Sequence, residues 1–338
     1  MTAGIDEQRV GPWLSAHVAG ARPPFAYRLI TGGRSNLTFE VTDAAGGRCV
    51  LRRPPLGHLL PTAHDVLREH RIIAALRGTA VPVPEALAAC DDASVNGAPF
   101  FITRFVDGAV LDSPEKGAAL PPATRRALAF DLIDVLAELH SVDVDAVGLG
   151  DLSRRDGYLD RQIRRWTKQW AGSRTRDLPL VDEVAARLER DRPPQLATAI
   201  VHGDYRFGNT ISDAERGRVA AVLDWELCTL GDPLADLGHM AVYWHDPALP
   251  LALTNDPTAA GGFPPLRDLL ERYAARTGRD LGRLDYYRAF AAWRLAVIGE
   301  GVASRHLEHH PEDAEALRAS QTGVARLMQF AAECLGAA

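Results

Sequence analysis

Three side chains able to move a proton or hold a hard cation, Asp204, Asn209 and Asp224, lie close together in this chain, and His202 stands just before the first. The stretch reads Ile-Val-His202-Gly203-Asp204-Tyr205-Arg206-Phe207-Gly208-Asn209, then a polar turn, then Val219-Ala-Ala-Val-Leu223-Asp224-Trp225-Glu226. An ionised Asp can accept a proton from a hydroxyl group. An Asn carbonyl with one carboxylate suits magnesium and leaves room for waters and phosphate oxygens. An Asp and an Asn so spaced mean little alone, because such pairs often only cap turns. Here they come with the His, with a strand-like apolar run on each side, and with a second Asp fifteen residues after Asn209. Such runs, bounded by turn residues, predict buried strands that each deliver an Asp to the rim of a rigid scaffold.

The spacing His-x-Asp-x-x-x-x-Asn resembles the catalytic loop of kinases. His202-Gly-Asp204-x-x-x-Gly-Asn209, Leu223-Asp224-Trp-Glu226 and Gly231-Asp232-Pro-Leu-Ala-Asp236-Leu together are similar to the aminoglycoside phosphotransferase and choline kinase-like family. They are closer to its branch of kinase-like domains attached to some acyl-CoA dehydrogenases. The likeness runs from about Leu29 to Arg305 and is most specific over residues 202–236. It implies an α+β, bilobal, protein-kinase-like fold, with a small β-rich lobe over residues 1–105 and a helical lobe over 106–338. It also implies ATP, magnesium and a small-molecule hydroxyl acceptor. It does not imply an aminoglycoside, because the family name is narrower than its membership.

The elements that must position these groups follow from periodicity. Phe25–Thr31, Leu37–Thr42 and Arg48–Arg53 are predicted strands. Between the first two lies Gly32-Gly33-Arg34-Ser35-Asn36, which by itself reads as a hairpin turn. By the resemblance this loop, with Ser35 and Asn36, covers the ATP phosphates. No Gly-Lys-Ser/Thr occurs, so a P-loop enzyme is excluded. Kinases grip phosphate with a lysine on the third strand, but the only lysines here are Lys116 and Lys168. The third strand offers Arg52 and Arg53, sent to opposite faces by the pleat. The family register points to Arg52; Arg53 is the alternative, and its replacement is otherwise expected to be mild. A guanidinium can grip phosphate oxygens with two parallel bonds. The amphipathic helix predicted over 64–77 carries Glu69 where kinases place the partner of the strand cation. A strand pair turned at Asn96-Gly97 follows, ending in Asp107-Gly108. There the resemblance implies adenine bonds to the Arg104 carbonyl and the Val106 amide. Arg206 falls where many protein kinases carry a lysine near the γ-phosphate.

Beyond this the chain reads as helical over 123–141, 266–277, 285–309 and 312–335. A basic segment over 151–176 carries Arg161, Arg164, Arg165 and Lys168, with Trp166 and Trp170 on one face. In the resembled fold this segment helps wall the acceptor pocket, which favours an anionic acceptor such as a hydroxy acid or its CoA thioester. Asp232 reads as a helix N-cap ahead of Pro233, and Asp236 as a brace for the metal-site loop. His306, His309 and His310 read as a solvated helix end.

At 338 residues, 46% of them hydrophobic, the chain can bury a sizeable core, and a formal charge of −6 gives no reason to expect nucleic acid. Four scattered cysteines form neither a disulfide framework nor a zinc pattern, which suits a reducing cytoplasm. No apolar run approaches membrane-spanning length. The reading is therefore an ATP- and magnesium-dependent small-molecule kinase, with Asp204 and Arg206 catalytic and Asn209 and Asp224 holding the metal. Its rivals are an antibiotic kinase, a non-catalytic nucleotide-binding module, and a metal-dependent hydrolase using His202, Asp204, Asp224 and Glu226.

Overall fold

The computed structural model describes residues 2–30, 36–56, 65–245, 256–309 and 314–336. It divides into two compact units, one of residues 1–108 with 220–227, the other of residues 109–219 with 228–338.

The first unit begins with helix α1 (Glu7–His17), followed by strands β1 (Ala26–Leu29), β2 (Leu37–Thr42) and β3 (Arg48–Arg53) and helix α2 (Val66–Leu76). Strand β4 (Ala86–Cys90), the short helix α3 (Ala93–Asn96) and strand β5 (Phe100–Arg104) complete it. The five strands form one antiparallel sheet in the order β1-β2-β3-β5-β4. Strand β3 is central, with Arg52 opposite Thr38 on one side and Phe101 on the other. One face of the sheet, with Phe39, Leu51, Phe100 and Ile102, packs on Val10 and Leu14 of α1. That helix follows from Asp6, which caps the Arg9 amide, and from apolar residues recurring every fourth position. Helix α2 buries Ile72, Ile73 and Leu76 and is capped by Asp65.

The predicted two-residue turn at Asn96-Gly97 is corrected. Asp92 caps the Ser94 amide and starts a helical turn, which Gly97 ends in the left-handed conformation at φ 74°. A left-handed glycine serves a helix end as readily as a hairpin, and the cap at Asp92 decides between them. Strands β4 and β5 do pair, across this longer connection.

The second unit is mainly helical. It holds α4 (Pro114–Ala118), α5 (Pro122–Leu139), α6 (Tyr158–Ser173), α7 (Pro179–Arg190), then strands β6 (Ala199–Val201) and β7 (Thr210–Asp213). Strand β8 (Arg218–Val222) carries the chain into the first unit, and β9 (Thr229–Gly231) returns to pair with β6. Helices α8 (Leu234–Tyr243), α9 (Leu266–Thr277), α10 (Leu284–His309) and α11 (Ala314–Cys334) follow. Helix α8 lies hard against α10: a Cβ on Gly238 would sit 2.7 Å from the Tyr287 carbonyl, so only glycine allows this approach. Trp166 and Trp170 do share a buried face of α6. Among the described residues no helix is long and apolar enough to cross a membrane.

Candidate active site

In the second unit, β6 ends at Val201 and the chain turns through His202 and Gly203, the latter at φ 88°, a conformation suited to glycine. Asp236, in the first turn of α8, holds this turn by accepting the amides of His202 at 2.6 Å and Gly203 at 2.8 Å. Its Oδ2 also meets His140 Nε2 at 3.3 Å, and His140 Nδ1 meets the Tyr273 hydroxyl at 2.7 Å. Burial opposes the charge on Asp236, but these bonds win and hold its carboxyl below the ordinary range. Asp236 thus braces the loop that carries Asp204 and Asn209. Asp232 caps α8 through the Leu234 amide at 3.0 Å and accepts the Tyr287 hydroxyl at 2.7 Å.

Asp204 is gripped on both oxygens. Asn209 Nδ2 donates to Oδ2 at 2.7 Å and to the Asp204 carbonyl at 2.8 Å, while His239 Nε2 meets Oδ1 at 2.7 Å. Burial pushes the carboxyl up, yet the His239 bond and the nearby Arg206 cation hold it well below the usual range. Arg206 Nε lies 3.7 Å from Asp204 Oδ1, and its guanidinium sits over the Tyr243 ring at 5.0 Å. A side chain at Gly208 would collide with that guanidinium, so glycine there leaves Arg206 its place.

In the first unit, Arg52 bridges two acids: Nε meets Glu69 Oε2 at 2.8 Å and Nη2 meets Asp224 Oδ1 at 2.6 Å. Glu69 is 2% exposed and also lies 3.4 Å from the Trp225 amide. Burial, with Asp224 and Glu226 nearby, pushes its carboxyl up to about 7 against the pull of Arg52. Asp224 has φ 62°, the one positive φ outside glycine among the described residues. A left-handed aspartate is a strained backbone at the end of a strand, a feature that gathers at functional sites. Arg53 points the other way, donating to the carbonyls of Gly4 at 2.7 Å, Asn96 at 2.8 Å and Pro54 at 3.1 Å. It ties the chain ahead of α1 and the end of α3 to the sheet, a structural role.

Asn36 is buried, its Nδ2 3.5 Å from Glu226 Oε2, and its Oδ1 has no hydrogen-bond partner among the described residues. Ser35 lies outside the described residues, as do Gly32, Gly33, Arg34 and His310. The Arg104 side chain is taken up by Glu85 at 2.6 Å, and among the described residues the Val106 amide donates to no backbone carbonyl. Arg161 is tied to the carbonyls of Arg154 and Asp156, and Arg164 to Asp160. Arg165 is exposed over the Trp166 ring.

Asn209 in the second unit and Asp224 in the first each offer an oxygen of the kind magnesium takes. The hydrogen bonds of Asn209 run through its amide nitrogen, leaving the oxygen, and Asp224 commits Oδ1 to Arg52, leaving Oδ2. Both are hard oxygen donors. Among the described residues no three His, Cys, Asp or Glu side chains form a metal-binding group by themselves. The hydrolase reading, which needs such a group, gains nothing from the site.

Two site residues escape sequence reasoning. His239 stands one helical turn after Asp236, a faint signal in itself. Arg294, on α10, carries no signal at all.

Residues 26–287 match the sequence profile of the phosphotransferase enzyme family. The chain belongs to that family. Members of the family are kinases acting on hydroxyl groups. The chain is 34% identical over 307 residues to acyl-CoA dehydrogenase family member 10 of Mus musculus, covering 90% of this chain and 28% of the relative. Family member 11 of Rattus norvegicus is likewise 34% identical, over 313 residues, covering 90% of this chain and 40% of the relative. The chain thus spans well under half the length of these curated relatives. A crystal structure from Ralstonia eutropha JMP134, provisionally assigned as an aminoglycoside phosphotransferase, is 35% identical, with TM-score 0.80 over 97% of this chain and 98% of that one. The GDP complex of aminoglycoside 2'-phosphotransferase-IIIa shares the fold at 16% identity, with TM-score 0.63 over 97% of this chain and 99% of that one. The fold is that of the protein-kinase-like phosphotransferases, with an antiparallel N-terminal sheet and a helical C-terminal part.

Proposed function

We propose that this phosphotransferase moves the γ-phosphoryl group of ATP to the hydroxyl of a small, anionic molecule, with magnesium as cofactor. The observation that carries this is the Asp204 carboxylate: half-buried, ionised and held at both oxygens by His239 and Asn209 in a loop locked by Asp236. Such a group is built to orient a hydroxyl and take its proton at the end of the transfer rather than to act as a strong free base. As the acceptor oxygen bonds to the γ-phosphorus, the bond to the β-phosphate oxygen breaks, ADP leaves, and the hydroxyl proton passes to Asp204.

The other groups have matching roles. Arg206 supplies positive charge next to Asp204 for the transferring phosphoryl group. Arg52, aimed by Glu69, grips the α- and β-phosphates with its planar fork. Asn209 and Asp224 hold magnesium through oxygen. Held there, magnesium would supply charge neutralisation for the transferring phosphoryl group. The Val106 amide, free of a backbone partner among the described residues, and the Arg104 carbonyl receive the adenine edge, and Asn36 with Ser35 covers the phosphates.

The acceptor's charge follows from what surrounds the base. Arg206 faces Asp204, and Arg294 backs it through His239. A polycationic aminoglycoside would meet repulsion there, whereas a carboxylate or phosphate on the acceptor would be drawn in. Arg161 and Arg164, bonded to their own neighbours, do not carry this argument. The likeness to sequences within acyl-CoA dehydrogenase family members supports a hydroxy acid or hydroxyacyl-CoA. An antibiotic kinase is the second reading, favoured by 27% identity to viomycin phosphotransferase of Streptomyces vinaceus over 62% of this chain. The test is ADP release and 31P NMR with Mg-ATP and a panel of hydroxy acids, their CoA thioesters, and kanamycin-type and peptide antibiotics. Transfer to anionic hydroxyl compounds is expected. Transfer to antibiotics alone, or none to any acceptor, would overturn the proposal.

A further inference from the structure

Arg294 is a buried guanidinium, 5% exposed, and among the described residues it makes no ion pair with a carboxylate. Its Nη2 instead meets His239 Nδ1 at 2.9 Å and the Gly203 carbonyl, and its Nε is buried with no hydrogen-bond partner. Arginine keeps its protons and can only donate. His239 Nδ1 must therefore accept, which leaves the ring proton on Nε2, aimed at Asp204 Oδ1 at 2.7 Å. His239 is 1% exposed, and burial beside Arg294 lowers its affinity for a second proton. The close approach of α8 and α10 at Gly238 brings the two side chains into reach.

We infer that His239 and Arg294 are positioning residues for Asp204: a one-way chain from guanidinium to imidazole to carboxylate that fixes its orientation. Asn209 holds the second oxygen, so the carboxylate cannot rotate away from an incoming hydroxyl. A free carboxylate rotates and shares its lone pairs with water; one fixed by two donors presents a defined direction. Because Arg294 also bonds the Gly203 carbonyl, the same guanidinium ties the loop and the base together. The inference rests on the phosphotransfer reading, and the tautomer it requires is observable without any turnover.

The first measurement is 15N NMR of imidazole-labelled protein at pH 7, with the His239 signal among 11 histidines identified by its loss in His239→Gln. A neutral ring protonated at Nε2, with Nδ1 accepting, is expected; protonation at Nδ1, or an imidazolium, would overturn the chain. The second is kcat and KM for ADP release from Mg-ATP with water as acceptor. His239→Leu should lower kcat about 10- to 100-fold with KM within about twofold, the scale of a misplaced catalytic group. His239→Gln, whose amide can donate to Asp204, should recover most of that loss. Equal damage in both variants at equal thermal stability, or a loss confined to KM, would refute the positioning role. If His239→Leu does not fold, His239→Gln alone still decides, since a deficit above about tenfold refutes the role. Wild-type protein that releases no ADP with water or with any hydroxyl acceptor would overturn the phosphotransfer reading, while the tautomer, read without turnover, tests the chain apart from it.

Discussion

Replacing Arg52 and Arg53 in turn separates a functional cation from a structural one at neighbouring positions. Arg52→Ala removes the partner of Glu69, which is 2% exposed, and of Asp224, whose side chain is 30% exposed. Breaking a buried pair costs about 3–5 kcal/mol; the exposure of Asp224 and protonation of the orphaned Glu69 reduce this to roughly 2–4. Arg53→Ala leaves the carbonyls of Gly4 and Asn96 without their donor, at about 1–3 kcal/mol each. Both variants should therefore melt earlier, by about 4–16 °C for Arg52→Ala and about 4–24 °C for Arg53→Ala, at about 2–4 °C per kcal/mol. They should part in catalysis. Loss of a charged phosphate contact worth about 1.5–3 kcal/mol lowers kcat/KM for ATP roughly 10- to 100-fold in Arg52→Ala. Arg53→Ala should stay within about threefold, a residual change of the few tenths of a kcal/mol common for distant sites. Thermal melts beside steady-state kinetics, run well below both midpoints, give the answer. Matched losses of kcat/KM, or an unimpaired Arg52→Ala, would refute the assignment of the phosphate grip.

Asp204→Asn should lower kcat about 10²- to 10⁴-fold yet leave ATP binding within a few-fold, because the base contacts the acceptor; calorimetric ATP titration beside turnover checks both halves. Asp224→Ala and Asp224→Gly should both abolish magnesium-dependent ATP binding in thermal-shift assays. Glycine, unstrained at φ 62°, should keep about 1 kcal/mol more stability than alanine; equal stability would remove the strain. Asp256, buried and bonded to Thr258, has its carboxyl pushed up to about 6 by burial. The folded state then holds a proton the unfolded state releases, so stability should fall as pH rises from about 4 to about 6 and level off above. Asp256→Asn should flatten that part of the urea-unfolding profile, and an unchanged slope would assign it elsewhere.

Local spacing determined much of this protein. The bounds of β2, β3 and α9, and the sequence proximity of Asp204, Asn209 and Asp224, follow from periodicity, turn residues and covalent separation. All are properties of short segments. The Arg52–Glu69 pair was also legible, through the family register that sets a strand cation against a helix acid. The Asn96-Gly97 turn was not, since the same dipeptide serves a hairpin or a helix end and the Asp92 cap settles which. Nor could strand alternation say which arginine of β3 faces inward; packing of α1 on the Leu51 face decided that. The grip on Asp204 belongs wholly to tertiary structure. His239 lies 35 residues beyond Asp204 and Arg294 a further 55, on helices whose contact depends on the absent side chain of Gly238. No period or motif links positions so far apart, because their meeting is set by helix packing rather than by local backbone geometry.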